Sequence, residues 1–276
     1  MTRPDMLTER RGRTWPRPRL HSAASRHRGA QAMKAVIQAG GKGTRLRPYT
    51  NVLPKPLMPV GSKPVLELLL AWLRRNGTEE VFITTGYLGH LIQSFCGDGR
   101  QWDLRISYTQ ENEPLGTIGP LTLLRDQLDE PFLVLNGDVL TDLNLKAFMA
   151  AHRQTESAVT IATVRREVRI DFGVIEDRER RVTEFHEKPK LSHLVSMGIY
   201  CMQPEMLQHI PSRVPFGFDD LMHRMLERGI PAHTFLHNGL WLDVGRVEDF
   251  QKAQDMQWDE DAPAFATTPG HAIAAE

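Results

Sequence analysis

Residues 34–59, KAVIQAGGKGTRLRPYTNVLPKPLMP, decide how this chain folds. The apolar pair Val36-Ile37 runs into Gly40, Gly41 and Gly43, then Arg45 and Arg47, then a lysine braced by Pro54 and Pro56. That order predicts a strand that ends in a loop able to wrap polyphosphate. Successive glycines let backbone N–H groups turn inward into an anion-binding concavity. Arg45 can fork across phosphate oxygens, and the flanking prolines fix the backbone of Lys55. So much amide and positive charge in one loop is not needed for folding. It is needed to hold a nucleoside triphosphate.

Two common explanations of a glycine loop fail here. The loop is not a P-loop, because Gly43 rather than Ser or Thr follows Gly41-Lys42. It is not a complete dinucleotide fingerprint, because Leu46 occupies the third glycine position.

Around this loop, short apolar runs alternate with segments of helical period. Strands are expected at 34–39, 80–86, 105–110, 131–137, 158–165, 172–176, 182–186, 196–203 and 232–237. Helices are expected at 63–76, 88–96, 117–128, 143–154, 204–210, 218–228 and 246–258. Val81-Phe82-Ile83 and Phe132-Leu133-Val134-Leu135 are continuous apolar runs, as in strands covered on both faces. The βαβα order gives an α/β fold with a Rossmann-like, doubly wound, mostly parallel sheet. Residues 158–203 are strand-rich and predict an antiparallel insertion laid across that sheet, forming the far wall of a cleft. Gly77 and Gly229 read as helix C-terminal caps.

The chain has 276 residues, with a formal net charge of zero. Residues 1–32 hold eight arginines against Asp5 and Glu9, so the remainder carries −6. An acidic body argues against a nucleic-acid partner. No apolar run approaches the roughly 18 residues that span a bilayer, so no membrane role is expected. Residues 1–32 are Arg-rich and resemble a transit peptide, but the favoured reading is a dispensable, disordered basic extension. The nucleotide-binding body is expected over 33–258, and the Ala/Thr/Pro-rich tail 259–276 reads as disordered. Cys96 and Cys201 match no metal or redox spacing and read as buried thiols in a reducing, cytoplasmic setting. The eleven histidines show no zinc spacing and read as surface imidazoles.

Asn136-Gly137-Asp138 closes an apolar strand, at the end of a sheet where ligands bind. A carboxylate there suits Mg²⁺, or equally a helix N-cap. Asp243, in Trp241-Leu242-Asp243-Val244-Gly245, precedes the last expected helix and, read alone, is a capping residue.

G-G-x-G-T-R-L-R-P-x-T, followed by P-K-P-L-x-P-V and K-P-V-L-E, resembles the sugar-1-phosphate nucleotidyltransferases from about residue 34 to 256. The resemblance implies Mg²⁺-dependent transfer of a nucleotidyl group from an NTP to a sugar 1-phosphate, with release of pyrophosphate. It casts Arg45, Lys55 and Lys188 as catalytic cations. Gly40, Gly41, Gly43 and Thr44 become the triphosphate loop, with Gly116 and Thr117 opening a helix beneath the base. Asp138 and Asp243 become the metal ligands. Gly173 of Phe172-Gly173-Val174 and Glu187 of Glu187-Lys188-Pro189 fall on the sugar side. Ser196 stands where the family's N-x-G-I-Y strand usually has Asn. The form L-G-T-x-G-P-L at 115–121 is similar to mannose-1-phosphate guanylyltransferases, which makes GTP and mannose 1-phosphate the leading pair. A sugar phosphate is already ionised near neutral pH, so the missing Ser-His-Asp arrangement is consistent with such a reaction. Two rivals are a non-catalytic nucleotide-sugar sensor and a transferase for another phosphate, such as phosphocholine. Oligomeric state stays open, homo-oligomers included.

Overall fold

The glycine loop leaves the middle of a seven-stranded mixed sheet. A computed structural model describes residues 33–111 and 113–256. The expectations for 1–32 and 259–276 lie outside those residues. Strands follow in chain order as β1 (Met33–Ala39), β2 (Pro59–Val60), β3 (Lys63–Pro64), β4 (Thr78–Thr85), β5 (Arg105–Gln110), β6 (Phe132–Asn136) and β7 (Val139–Thr141). Then come β8 (Val159–Arg169), β9 (Val174–Arg178), β10 (Arg181–His186), β11 (Lys190–Met202), β12 (Ala232–His237) and β13 (Trp241–Asp243). Five α-helices are described: α1 (Val65–Arg75), α2 (Gly89–Cys96), α3 (Leu145–Gln154), α4 (Phe218–Arg228) and α5 (Val247–Asp255).

The main sheet runs β12-β8-β11-β6-β1-β4-β5. Within it only β11 opposes its neighbours, β6 and β8; the other pairings are parallel. From β1 the chain builds outward through β4 and β5, then returns to lay β6 on the other side of β1. The crevice at the carboxyl ends of β1 and β6 is therefore the switch point where open α/β sheets bind ligands.

Side chains alternate between two cores. Ala35, Ile37, Leu133 and Leu135 face the side covered by α1, α2, α3 and α5. Val36, Phe82, Phe132 and Val134 face the side covered by α4 and two 3₁₀ segments. Burying each Ile, Leu or Phe stabilises the fold by roughly 1.5–3 kcal/mol. Local signals set the helix ends. The Asn144 side chain accepts from the Ala147 N–H at 3.0 Å and caps α3. The Asp220 carboxylate accepts from the Gly217 N–H at 2.8 Å at the start of α4. Gly77 and Gly229, at φ +90° and +66°, end α1 and α4 as expected.

Two expected helices are corrected. Residues 117–128 form only a 3₁₀ stretch, Gly119–Leu124, and 204–210 another, Pro204–His209. In the first, the buried residues Ile118, Leu121 and Leu124 recur every third position, which suits the 3₁₀ repeat. The Ile118 and Gly119 N–H groups both donate to the Phe216 carbonyl at 3.1 Å, which diverts them from a helical ladder.

The strand-rich insertion also differs from expectation. The inner halves of β8 and β11 belong to the main sheet, where Val159, Thr160, Ala162 and Cys201 are buried. Beyond Arg165 and Val195 the two strands run on as a charged, exposed ribbon that carries the β9–β10 hairpin. It is an arm continuous with the sheet, not a layer across it.

The two cysteines are free and buried, as expected. Among the described residues, one histidine is buried rather than at the surface. His152 is fully buried; Gln203 donates to its Nε2 at 3.0 Å, and its Nδ1 pairs with the Thr160 hydroxyl at 2.8 Å. Burial, with Arg153 and His233 adding to it, pushes its pKa down to about 4. The unfolded chain takes up that proton near 6.5 and the folded one does not. Stability should be fully present above pH 6.5 and should fall by on the order of 3 kcal/mol as pH drops toward 4. Urea unfolding across this range should show the loss in the wild type and a flatter profile in His152→Gln.

Candidate nucleotide-binding cleft

A cleft of about 840 Å³ opens at the switch point. Its walls are the glycine loop, the ends of β4 and β6, the segment 113–120, and Lys55. Gly40, Gly41, Gly43, Thr44, Arg45, Gly116, Thr117 and Asp138 all line it, so the structure gathers the expected nucleotide-side residues.

The loop is folded back on itself. Gly43 sits at φ +59°, and a Cβ there would lie 3.0 Å from the Thr50 methyl and 3.3 Å from Lys55 Cβ. The buried Thr50 hydroxyl donates to the Gly43 carbonyl at 2.9 Å and pins the loop. Across the cleft, Gly116 adopts φ +79°, and its missing Cβ would fall 2.7–2.9 Å from the Phe216 backbone. Thr117 does not open a helix. Its hydroxyl instead accepts from the Phe218 N–H at 2.9 Å, at the start of α4, and its carbonyl accepts from the Gln38 side chain.

The two expected metal aspartates come together through a short ladder. β7 and β13 pair antiparallel, with Val139 opposite Asp243. One residue on, the Val244 N–H donates to the Asp138 carbonyl at 2.9 Å. Asp138 is therefore not a helix cap; Asn144 has that role. The Asp243 carboxylate accepts from the Gly245 N–H at 2.9 Å, and its backbone N–H meets the buried Asp249 carboxylate at 3.4 Å. Asp249 is held in turn by the Arg166 guanidinium at 3.1 Å.

Lys55 points between these aspartates. Its ammonium contacts Asp138 Oδ2 and lies 3.8 Å from Asp243 Oδ1. Burial lowers its pKa, Asp243 works against that shift, and Arg45 adds to it. Two carboxylates that converge on one cation form an all-oxygen, dianionic donor set, which fits Mg²⁺.

The residues expected on the sugar side sit elsewhere. Gly173, Glu187, Lys188 and Ser196 do not line the cleft. Glu187 and Lys188 have side chains 62% and 61% exposed, on the arm. Gly173 lies beneath Phe185, whose ring would meet a Cβ at 2.6 Å, and 3.4 Å from Glu187 Oε2 by the same measure. Ser196 stands at a register shift in β11, where its hydroxyl accepts from the Gly198 N–H at 3.2 Å.

Glu111 is a cleft residue that the sequence reading missed. It follows β5, and its Oε2 accepts from the Leu115 N–H at 2.9 Å. Burial raises its pKa. The signal in the sequence was an acid three residues before Pro114, at the end of a strand. Gln38, Gly86 and Asn136 also line the cleft.

The fold and cleft define an α/β protein with its ligand crevice at the switch point of the sheet. Residues 34–260 match the Nucleotidyl transferase family, and the chain belongs to it. A curated relative is the UTP–glucose-1-phosphate uridylyltransferase of Synechocystis, 34% identical over 241 residues. That match covers 80% of this chain and 62% of the relative, so the chain spans less than two thirds of that relative's length. Mannose-1-phosphate guanylyltransferase 1 of Arabidopsis thaliana is 32% identical over 253 residues, covering 87% of this chain and 70% of that one. Among solved structures, a Bacillus anthracis chain described as a glucose-1-phosphate thymidylyltransferase aligns with TM-score 0.65 and 26% identity. That alignment covers 81% of this chain and 94% of that one.

Gly116→Ala should combine a strained positive φ with backbone overlap, at about 2–4 kcal/mol in all. The expected result is a clear drop in Tm together with weaker nucleotide binding. An unchanged melting curve would contradict the close approach to Phe216.

Proposed function

We propose that this chain transfers a nucleotidyl group from an NTP to a sugar 1-phosphate, giving an NDP-sugar and pyrophosphate, with GTP and mannose 1-phosphate the favoured pair. The observation that carries this is the β7–β13 ladder, which sets Asp138 and Asp243 against Lys55 at the mouth of the glycine-loop cleft. Amides of Gly40, Gly41 and Gly43 and the Thr44–Arg45 turn receive the triphosphate. Gly116 and Thr117 form the surface under the base. Asp138 and Asp243 would hold Mg²⁺, which when bound supplies charge neutralisation at the phosphate oxygens. Lys55 offsets charge where the acceptor phosphate approaches, and Arg45 stabilises the departing pyrophosphate. The acceptor already carries an ionised oxygen, so no side chain has to remove a proton.

Glu111 supports guanine as the base. A carboxylate presents only acceptors, and guanine offers N1–H and N2–H₂ side by side, whereas uracil offers one N–H between two carbonyls. One oxygen is engaged by Leu115, but each carboxylate oxygen has two lone pairs. The Arabidopsis relative's name and the L-G-T-x-G-P-L form point the same way; the Synechocystis relative's name points to UTP.

On the acceptor side, Glu187, Gly173 and Ser196 would meet the sugar and Lys188 its phosphate. Three of these four ride on the arm, so this part of the reading requires the arm to approach the cleft.

Pyrophosphate release should be measured with four NTPs against several sugar 1-phosphates, with Mg²⁺ present. GTP with mannose 1-phosphate is expected to turn over fastest, and no release with any pair sinks the proposal. Asp138→Asn and Lys188→Ala should each lower kcat/KM by at least about 10²-fold, or roughly 2.7 kcal/mol. An unaffected Lys188→Ala would remove the arm from the mechanism. Glu111→Gln should shift the GTP-to-UTP ratio of kcat/KM toward UTP by about tenfold or more. An unchanged ratio would take base selection away from Glu111.

A further inference from the structure

We propose that Lys55 is a tethered counter-cation for Asp138 and Asp243, holding the two carboxylates until a divalent ion takes its place. This deepens the reading above and rests on its assignment of the two aspartates to the metal.

The geometry gives one ammonium to two carboxylates. Lys55 Nζ contacts Asp138 Oδ2 and lies 3.8 Å from Asp243 Oδ1. The three side chains are only 15%, 14% and 28% exposed, so water screens little of their charge. Without a cation, the β7–β13 ladder would force two carboxylates together against their repulsion. Space is reserved for the ammonium as well. A Cβ at Gly245 would overlap the end of the Lys55 side chain, so the glycine leaves room for it.

The lysine cannot drift away when displaced. Its backbone is fixed between Pro54 and Pro56, and the 3₁₀ turn Lys55–Leu57 is closed by the Leu57 N–H to Pro54 carbonyl bond at 2.8 Å. Only the side chain can swing, and its root stays in the wall of the cleft. The ammonium and a divalent ion compete for the same oxygens. The lysine neutralises one of two negative charges, so the site still attracts a divalent cation, but less strongly than the bare pair. Loading the metal therefore frees the ammonium toward the phosphates. Metal binding and release of the lysine become a single event, and metal-free protein keeps its acceptor-side cation turned away.

The test measures metal binding rather than turnover. Mn²⁺ is titrated into nucleotide-free protein and followed by electron paramagnetic resonance. Lys55→Gln should bind Mn²⁺ about tenfold tighter than the wild type or more, a scale set by removing one close charge. Lys55→Arg, which keeps the charge, should gain nothing, and Asp138→Asn should abolish the gain in Lys55→Gln. In the wild type, Mg²⁺ should speed reductive methylation of Lys55, read by peptide mass spectrometry. Equal or weaker Mn²⁺ binding by Lys55→Gln, with binding still dependent on Asp138, overturns the tethered cation and leaves the metal assignment standing. Mn²⁺ binding that ignores Asp138 in every variant overturns both. If Lys55→Gln does not fold, the labelling decides alone, and a rate that Mg²⁺ leaves unchanged or slows overturns the proposal.

Discussion

Three backbone pairs between β7 and β13 hold the site together. Everything else in the cleft comes from elements that a doubly wound sheet delivers to its carboxyl edge in any case. The glycine loop follows β1, Glu111 follows β5 and Asp138 follows β6. Asp243 has no such route. It arrives only because Trp241-Leu242-Asp243 lies down on Val139-Leu140-Thr141 and brings a second carboxylate beside the first. The buried Asp249, gripped by Arg166, then fixes the backbone of that strand from behind.

This arrangement creates an electrostatic problem and its solution in the same place. Two carboxylates forced together in a partly dry cleft repel each other. Lys55, 83 residues upstream of Asp138, supplies the balancing charge. Its ammonium is pulled below its ordinary pKa by burial, yet Asp243 favours the charged form. The prolines on either side hold its backbone in place. Dense positive charge near a glycine loop thus has two distinct duties here: Arg45 at the rim faces open cleft, and Lys55 faces the protein's own anions.

Much of this was legible in the sequence, for physical reasons. Strands buried on both faces must be continuously apolar, and β4 and β6 show this in Val81-Phe82-Ile83 and Phe132-Leu133-Val134-Leu135. Glycines at positive φ ended α1 and α4 where expected. What escaped was set by distant contacts. β7 and β13 are three residues each, too short for any periodicity to register. The 3₁₀ stretch Gly119–Leu124 exists because the Phe216 carbonyl captures the amides that would have begun an α-helix. Glu111 is one of two acids between β5 and Pro114, and only the fold brings its carboxylate to the Leu115 N–H in the cleft wall. The strands of the arm are visible in the sequence but their length is not, so the sequence predicts a wall where the structure has an arm. Resemblance gave roles to Gly173, Glu187 and Lys188, and the structure leaves them on that arm.

The ladder also fixes an order of events during synthesis. β13 is the last strand of the described sheet system, and it emerges after all seven strands of the main sheet. Domains generally organise as the chain leaves the ribosome. Asp243 lies only six residues beyond the end of β12, so the second carboxylate leaves the ribosome almost together with the last strand of the main sheet. The sheet and its acidic pair are therefore completed at nearly the same moment, with no stage at which one stands finished and waits for the other.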